Sequence, residues 1–584
     1  MDRHTPSHDA APAGPAGPTG PARPADEAGA ARPGRAAAGS RRPRLGRRGF
    51  LTAVAGAGAG AAGVGGVGAV AAPSAAAATA AVPARTTAAS AGVPVVLPGR
   101  DPQYDSLRTG YNRRFDVRPA EILAPRTAAE VVAAVQRALD GGRRFTVYGG
   151  GHCFEDFVLS PDVRTLITMG SLDQVRYDSA RGVYEVGAGA RLLNVYDRLY
   201  RDHGVTIPGG VCYSVGVGGH VTGGGYGLLS RKHGLTVDHL AGVEVVTVDA
   251  HGRAALTYAR RGDTGALGDL FWAHTGGGGG NFGVVTRFDF HSPDEPRGLP
   301  SPPAEVRLVF CDWPWDGVGP ERLGAFFDVF ADWCARHHTS SGPADAVFPW
   351  LTVRHRDNGG VGMVMQVADP AGEAVGDDLV KRLAAALGYT DDERYVTRTR
   401  MPWMNSVRLI GTSSDENSDP NRRGKQGSAN FRGRLTRTQV AEIHRALHEP
   451  IEGSLSAGVD IAALGGAISR VKPTDTAVFQ RDATMKFLVQ TFWADERHDA
   501  ANIAWLRRAY HGIFQETGGV PGYDEVTAGS YVNYPNSDLS DPAWNTSGLS
   551  SGDLYYGANH ARLRAVKRRW DPTNVFRHAQ SVRP

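Results

Sequence analysis

Three tight glycine clusters crowd the first half of this chain: Gly149-Gly150-Gly151, a dense region from Gly209 to Gly227, and Gly276 to Gly280. Turns alone do not need glycine at this density. Glycine lets backbone amides approach a ligand with no Cβ in the way, and successive amides form an anion-binding concavity, for which a pyrophosphate is the natural occupant. A Rossmann loop is the first alternative. Gly216-Val-Gly218-Gly-His-Val221 breaks the GxGxxG pattern at its last position, and the glycines overrun any following helix start. A nicotinamide site is set aside on that ground.

The surroundings of these clusters read as elements. Residues 127–140 carry apolar side chains at helical spacing after a Thr start, which predicts a helix. Arg144 to Tyr148 reads as a strand running straight into Gly149 and His152. Residues 183–187 and 242–249 read as further strands, the second a buried one, and Asn281 to Thr286 as a turn into a strand. A Pro-rich break at 292–303 marks a boundary. Strands such as 304–310 and 362–367 then alternate with amphipathic helices such as 322–337 and 435–447, predicting a second α+β unit of mostly antiparallel sheet with helices on one side. The last 65 or so residues return to turn-rich, aromatic-rich sequence, and there is no internal repeat.

The leader is legible by composition. Residues 1–46 are rich in Pro, Ala, Gly and Arg and have almost no large apolar side chain with which to build a core. Arg47-Arg48-Gly49-Phe50-Leu51 follows, then a Gly/Ala/Val run to about 72 and a Pro/Ser/Ala/Thr stretch to about 92. This order predicts an export signal of the twin-arginine type, cleaved near 77–93, with no stable membrane association afterwards. A membrane anchor is the competing reading, but Ala55 to Val70 is mostly Gly and Ala, too weakly hydrophobic to span comfortably. Nine arginines against four acids give residues 1–50 a local +5 in a chain whose total is +4. The basic excess belongs to the leader, and no nucleic-acid partner is suggested. Cys153, Cys212, Cys311 and Cys334 form no CxxC pair and no Cys/His metal spacing, so no metal is expected. Export leaves open a disulfide between Cys311 and Cys334, which sequence alone does not establish.

Longer motifs then align in order. Tyr148-Gly-Gly-Gly-His152-Cys-Phe-Glu-Asp-Phe157 resembles the flavin-attachment loop of the berberine-bridge-enzyme-like oxidases, a branch of the FAD-binding family typified by vanillyl-alcohol oxidase. Val211-Cys212-Tyr-Ser-Val215-Gly216-Val-Gly218-Gly219-His220-Val-Thr-Gly223-Gly224-Gly225-Tyr226-Gly227 is similar to its second signature. Leu270-Phe-Trp-Ala273 with Gly276 to Val285, including Val284, resembles a third. Tyr531-Val-Asn-Tyr534-Pro535 and Trp570-Asp-Pro-Thr-Asn574-Val-Phe576 resemble its C-terminal segment. The likeness spans essentially everything after residue 95.

The resemblance implies an α+β fold. A two-part FAD-binding domain of the vanillyl-alcohol-oxidase type (96–296 and 516–584) would hold the cofactor, and an inserted antiparallel-sheet-plus-helices domain (297–515) would roof the substrate. It implies FAD bonded to His152 through its 8α-methyl carbon and to Cys212 through C6. An imidazole and a thiolate are good nucleophiles for an electron-poor ring, whereas the bland readings are a phosphate-binding loop histidine and an inert thiol. The glycines at 149–151, 216, 218, 219, 223–225 and 227, with His220, Val284 and Asn574, are the remaining expected FAD contacts. Val215, facing the flavin in the family, implies oxidase behaviour with O2 as acceptor. Tyr534, Tyr531 and Tyr226 are the candidate bases; a tyrosine can serve only if hydrogen bonds or a nearby cation lower its ordinary value near 10. A turn between Tyr531 and Tyr534 would let one phenol hydrogen-bond the other. Lys486, Gln490, Arg408 and Trp403 are further candidates to reach substrate. Leu464 stands where sugar-oxidising members commonly carry a tyrosine; if that tyrosine supports a second oxidation step, this chain stops after one, and the number of steps stays open. The expected reaction oxidises a secondary alcohol or hemiacetal carbon of a sugar, oligosaccharide or glycosylated natural product. Oxidative cyclisation of an alkaloid- or polyketide-like molecule and a non-catalytic flavin carrier are the alternatives.

Overall fold

A threonine sets the first long helix. Thr127 adopts extended backbone and its side chain accepts a hydrogen bond from Glu130 N, so Ala128–Asp140 starts with a satisfied amide. Its buried stripe, Val131, Ala134, Val135 and Ala138, follows the helical repeat. The structure, a computed structural model, describes residues 92–339, 341–412, 419 and 421–584. The expected twin-arginine signal, the Ala55–Val70 run and the cleavage region therefore lie outside the described residues.

The helix lies against two sheets. The first holds β1 (Val95–Val96), β2 (Glu121–Leu123), β3 (Phe145–Tyr148) and β4 (Thr165–Thr168) in the order β1-β2-β4-β3, with β4 parallel to both neighbours. The second holds β5 (Val175–Asp178), β6 (Val183–Gly187), β7 (Leu240–Val248), β8 (Ala254–Arg260) and β9 (Val284–Phe290) in the antiparallel order β5-β6-β9-β7-β8. Ile167, Phe145, Val246, Val248 and Val284 share one apolar cluster with the helix stripe and with Phe576, which arrives from the far end of the chain. The C-terminal segment thus completes this core. Asp571 anchors it by accepting from Val575 N (2.7 Å) and Phe576 N (2.9 Å). Lys567, wholly buried with Asp571 at 2.6 Å, donates to the carbonyls of Asn281 and Phe576. The third glycine cluster is thereby clamped to the C-terminus.

The third sheet follows the Pro-rich break: β10 (Glu305–Trp313), β11 (Val347–Arg354), β12 (Val361–Val367), β13 (Val396–Pro402), β14 (Arg423–Phe431), β15 (Ser454–Ala463) and β16 (Met485–Trp493). It is antiparallel, in the order β13-β10-β12-β11-β15-β16-β14. Register gives its faces opposite character, because directly paired residues share a face. Lys486 pairs with Asn430 and Ala462, Leu488 with Ser428 and Asp460, and Gln490 with Gln426 and Gly458, so one face is largely polar. The other, with Phe487, Val489, Ala429 and Ile461, is apolar. A Cβ on Gly427 would strike the Tyr510 ring, which shows how closely the helix Asp499–Ile513 lies on β14.

Cys311 on β10 and Cys334 on the helix Pro320–Arg336 are separate buried thiols rather than a disulfide. Burial pushes Cys334 up to about 12 and raises Cys311 further, so neither thiol is a ready nucleophile. Among the described residues no helix is long and apolar enough to cross a membrane.

Candidate active site

The first two glycine clusters meet. β3 ends at Tyr148 and delivers Gly149 to His152, while the second cluster turns through Cys212 to Gly216 before a short helix, Val217–Thr222. Gly150 and Gly216 touch backbone to backbone: a Cβ on either would fall far inside contact distance of the other. Arg191 ties the loops together by donating from Nη1 to the carbonyls of Gly150 (2.7 Å) and Ser214 (2.5 Å). His152 Nε2 meets Ser214 Oγ at 2.9 Å. The His152 and Cys212 loops are therefore one structural unit. Loss of water around the half-buried imidazole, reinforced by the charges of Arg191 and Arg422, brings His152 down to about 3. At neutral pH it is an uncharged ring with a nucleophilic nitrogen.

The glycines divide into two kinds. Gly150, Gly216, Gly218, Gly223 and Gly227 are glycine because backbone or Asn533 occupies the place of a Cβ; Gly224 and Gly225 also have positive φ, 108° and 70°. Gly149 and Gly219 are different, with nothing within 4 Å of an added Cβ. Internal packing does not explain these two, and the space over them has room for a bound group. That open cradle, the neutral imidazole and the nearby Cys212 are the donor set that FAD needs.

The second cluster also reaches the tyrosines. Asn533 Nδ2 donates to the His220 carbonyl at 2.9 Å, joining Tyr531–Tyr534 to the Cys212 side of the cradle. The expected turn exists: Tyr534 N donates to Tyr531 O at 2.9 Å, and the two rings stand edge to face with centroids 5.1 Å apart. The expected hydrogen bond between these phenols does not form. Tyr534 instead shares a 2.7 Å hydrogen bond with Tyr226, and Tyr531 Oη accepts from Asn533 at 3.2 Å. Near-perpendicular rings aim the phenols at different neighbours. Lys486 Nζ lies 3.3 Å from the centre of the Tyr531 ring and 4.6 Å from that of Tyr226. Burial raises all three phenols, Tyr531 to about 12; for Tyr534 the proximity of Tyr226, Tyr531 and Cys212 adds to the rise. Burial pulls Lys486 well below its ordinary value, so an ammonium that would stabilise phenolate is itself disfavoured here.

The other expected residues separate clearly. His220 Nε2 accepts from Gly210 N at 3.1 Å, a bond within the second glycine cluster, and burial brings it to about 4. Val215 is half-buried between the loops, its carbonyl accepting from Leu192 N. The Val284 side chain packs into the apolar core. Asn574 holds a left-handed turn with φ 54°, and its buried Oδ1 has no hydrogen-bond partner. Gln490 bonds Asp460, which also pairs with Arg354 at 2.9 Å, all on the polar sheet face. Arg408 instead pairs with Asp197 at 2.7 Å, and Trp403 is buried against the rings of Tyr196 and Tyr200. Leu464 is buried with its amide donating to Thr484 O. Sequence reasoning missed Tyr111, whose ring stacks on His152 at 4.1 Å, and Arg191. No local pattern marks either one.

Known proteins resemble this chain over most of its length. The family model described as FAD binding domain matches residues 119–254, and that described as Berberine and berberine like matches residues 530–583. The aclacinomycin-N/aclacinomycin-A oxidase of Streptomyces galilaeus is 41% identical over 492 residues, covering 83% of this chain and 89% of that protein. The chain belongs to the berberine-bridge-enzyme-like FAD-linked oxidases. The hexose oxidase of Chondrus crispus is 33% identical over 527 residues, covering 82% of this chain and 93% of that one. A crystal structure of a glycopeptide hexose oxidase complexed with teicoplanin superposes with a TM-score of 0.79 at 36% identity, covering 85% of this chain and 99% of that one. The α+β fold is that of the vanillyl-alcohol-oxidase type. This FAD-linked oxidase is an oxidoreductase acting on CH–OH groups with oxygen as acceptor. The alternative of a non-catalytic flavin carrier falls away with that membership.

Proposed function

We propose that this oxidase removes hydride from a secondary alcohol or hemiacetal carbon of a sugar, oligosaccharide or glycosylated natural product, with FAD held covalently by His152 and Cys212. The observation that carries the reading is the joining of the Cys212 loop to the Tyr531–Tyr534 turn through Asn533 and the His220 carbonyl. FAD, when bound, accepts the hydride and passes the electrons to O2, giving H2O2. Residues 96–296 and 516–584 hold the cofactor and 297–515 present the polar sheet face to the substrate.

Tyr534 takes the hydroxyl proton at Oη as phenolate, the form that burial and the Tyr226 contact disfavour, so the step strengthens as pH rises. Its hydrogen bond to Tyr226 gives that proton a second oxygen to share, and Tyr531 packs both rings into place. Lys486, Asp460 and Gln490 line the sheet face and bind hydroxyl groups. His152 attaches through Nδ1, since Nε2 is committed to Ser214 Oγ. Leu464 fits one oxidation step. Relatives named for aclacinomycins, hexose and a glycopeptide support a sugar-bearing substrate.

The test is a panel of hexoses, oligosaccharides and glycosylated natural products, read as anaerobic flavin bleaching and aerobic peroxide release. Bleaching by a sugar-bearing compound, and not by its aglycone, is expected. Bleaching by the aglycone alone overturns the reading in favour of oxidative cyclisation. We propose also that the chain is exported through Arg47-Arg48; replacing both by lysine should hold it inside the cell, and unchanged export would refute this.

A further inference from the structure

Tyr111 lies outside every motif described above, yet it covers the most reactive ring of the cradle. Its ring stacks on the His152 imidazole with centroids 4.1 Å apart and planes inclined by 30°. The Arg422 guanidinium sits 3.5 Å from the centre of the same tyrosine ring. Backbone hydrogen bonds fix both partners: Tyr111 N donates to Gly151 O (2.8 Å), one residue before His152, and Arg113 N donates to Arg422 O (2.9 Å). At the edge of the imidazole, Nε2 meets Ser214 Oγ.

We propose that Tyr111, backed by Arg422, is the positioning residue for flavin attachment at His152. The proposal rests on the reading that His152 is an attachment point. Three glycines precede His152 and supply no side chain to restrain its ring, so χ1 and χ2 need an external stop. Stacking on Tyr111 fixes the plane of the imidazole, and Ser214 fixes its rotation within that plane. Nδ1 is then left as the nucleophile, held in one direction. Arg422 keeps the tyrosine ring in place by attraction to its face. Its charge also opposes protonation of His152, which keeps the attacking nitrogen's lone pair available. Joining Nδ1 to the methyl carbon replaces one methyl C–H bond and one imidazole N–H bond. The two protons and two electrons released pass through the cofactor to O2, which becomes H2O2, and Ser214 Oγ faces the nitrogen that gives up its proton. Orientation of this kind governs rates by large factors.

The experiment is peptide mapping by mass of purified holoenzyme, scoring flavin on the His152 peptide and on the Cys212 peptide separately. Tyr111→Phe, which keeps the ring, should match wild type at both. Tyr111→Leu should lose the His152 adduct at least tenfold while keeping the Cys212 adduct. A leucine variant with a wild-type His152 adduct overturns the proposal, as does one that loses both adducts together, since that marks a merely structural ring. If the leucine variant does not accumulate, Arg422→Gln decides: a several-fold fall confined to the His152 adduct supports the assignment, and no change overturns it. Wild-type enzyme without flavin on His152 refutes the attachment reading itself, a result distinct from all of these.

Discussion

Tyr226 and Tyr534 stand 308 residues apart in the chain, yet their phenolic oxygens share a 2.7 Å hydrogen bond. The contact joins the last stretch of the second glycine cluster to the C-terminal segment, so the candidate base depends on both ends of the cofactor domain being in place. It also shifts attention from the Tyr531–Tyr534 pair, which the short sequence spacing favours, to a partner only the fold supplies.

A base in this setting has a definite pH signature. Burial raises Tyr534 above its ordinary value, and the base form is the phenolate, populated only as pH rises. The rate of flavin reduction should therefore climb across the neutral and mildly alkaline range. Tyr534→Phe should lower that rate by roughly 10²–10⁴-fold and flatten the climb, with substrate affinity little changed. Stopped-flow reduction measured against pH checks this. A Tyr534→Phe enzyme reduced at the normal rate would move the role to Tyr531 or Tyr226.

The two kinds of glycine make opposite predictions. Gly150→Ala forces a methyl group into the backbone of Gly216 and should lower thermal stability and flavin content together. Gly149→Ala meets nothing in the protein and should leave the protein folded while lowering flavin content. Thermal unfolding and the ratio of flavin to protein absorbance separate the cases. Normal flavin content in Gly149→Ala would mean the open space is not where FAD lies.

Oxygen use is predicted from Val215, half-buried between the two loops. Val215→Leu should slow flavin reoxidation by O2 far more than reduction by substrate. Equal slowing of both half-reactions would make the side chain a packing residue only.

Behind the His152 loop lies a buried charge cluster. Lys425 Nζ reaches Glu155 at 2.9 Å and Asp538 at 3.1 Å, all three side chains almost fully buried. Lys425→Met would remove the buried cation that the two carboxylates share, leaving Asp538 its Arg507 partner (2.9 Å) and Glu155 only Arg114 at 4.0 Å, a loss on the order of 3 kcal/mol. Denaturant unfolding should show that fall, and a change below about 1 kcal/mol would mean the cluster is solvated.

Much of this was legible in the sequence because the signals were local. The helix at 128–140 showed its stripe and its threonine cap, and the strand entering Gly149 showed its exit. The His152 and Cys212 motifs were recognisable as continuous strings. What stayed hidden depends on contacts made far along the chain. Tyr111 is an ordinary aromatic until the fold sets it on His152, and Arg191 gives no sign that it will staple Gly150 to Ser214. Hydrogen bonding between the tyrosines is hidden for the same reason: three residues of spacing set a turn, but ring orientation decides the partner. Arg408 carries no local sign that Asp197, far off in the chain, is its partner.

Acid precipitation shows whether His152 and Cys212 both hold the flavin. After denaturation and washing, wild type, His152→Ala and Cys212→Ala should each retain flavin in the protein pellet, and only the double variant should release it. A wild-type pellet that loses its flavin would contradict covalent attachment outright.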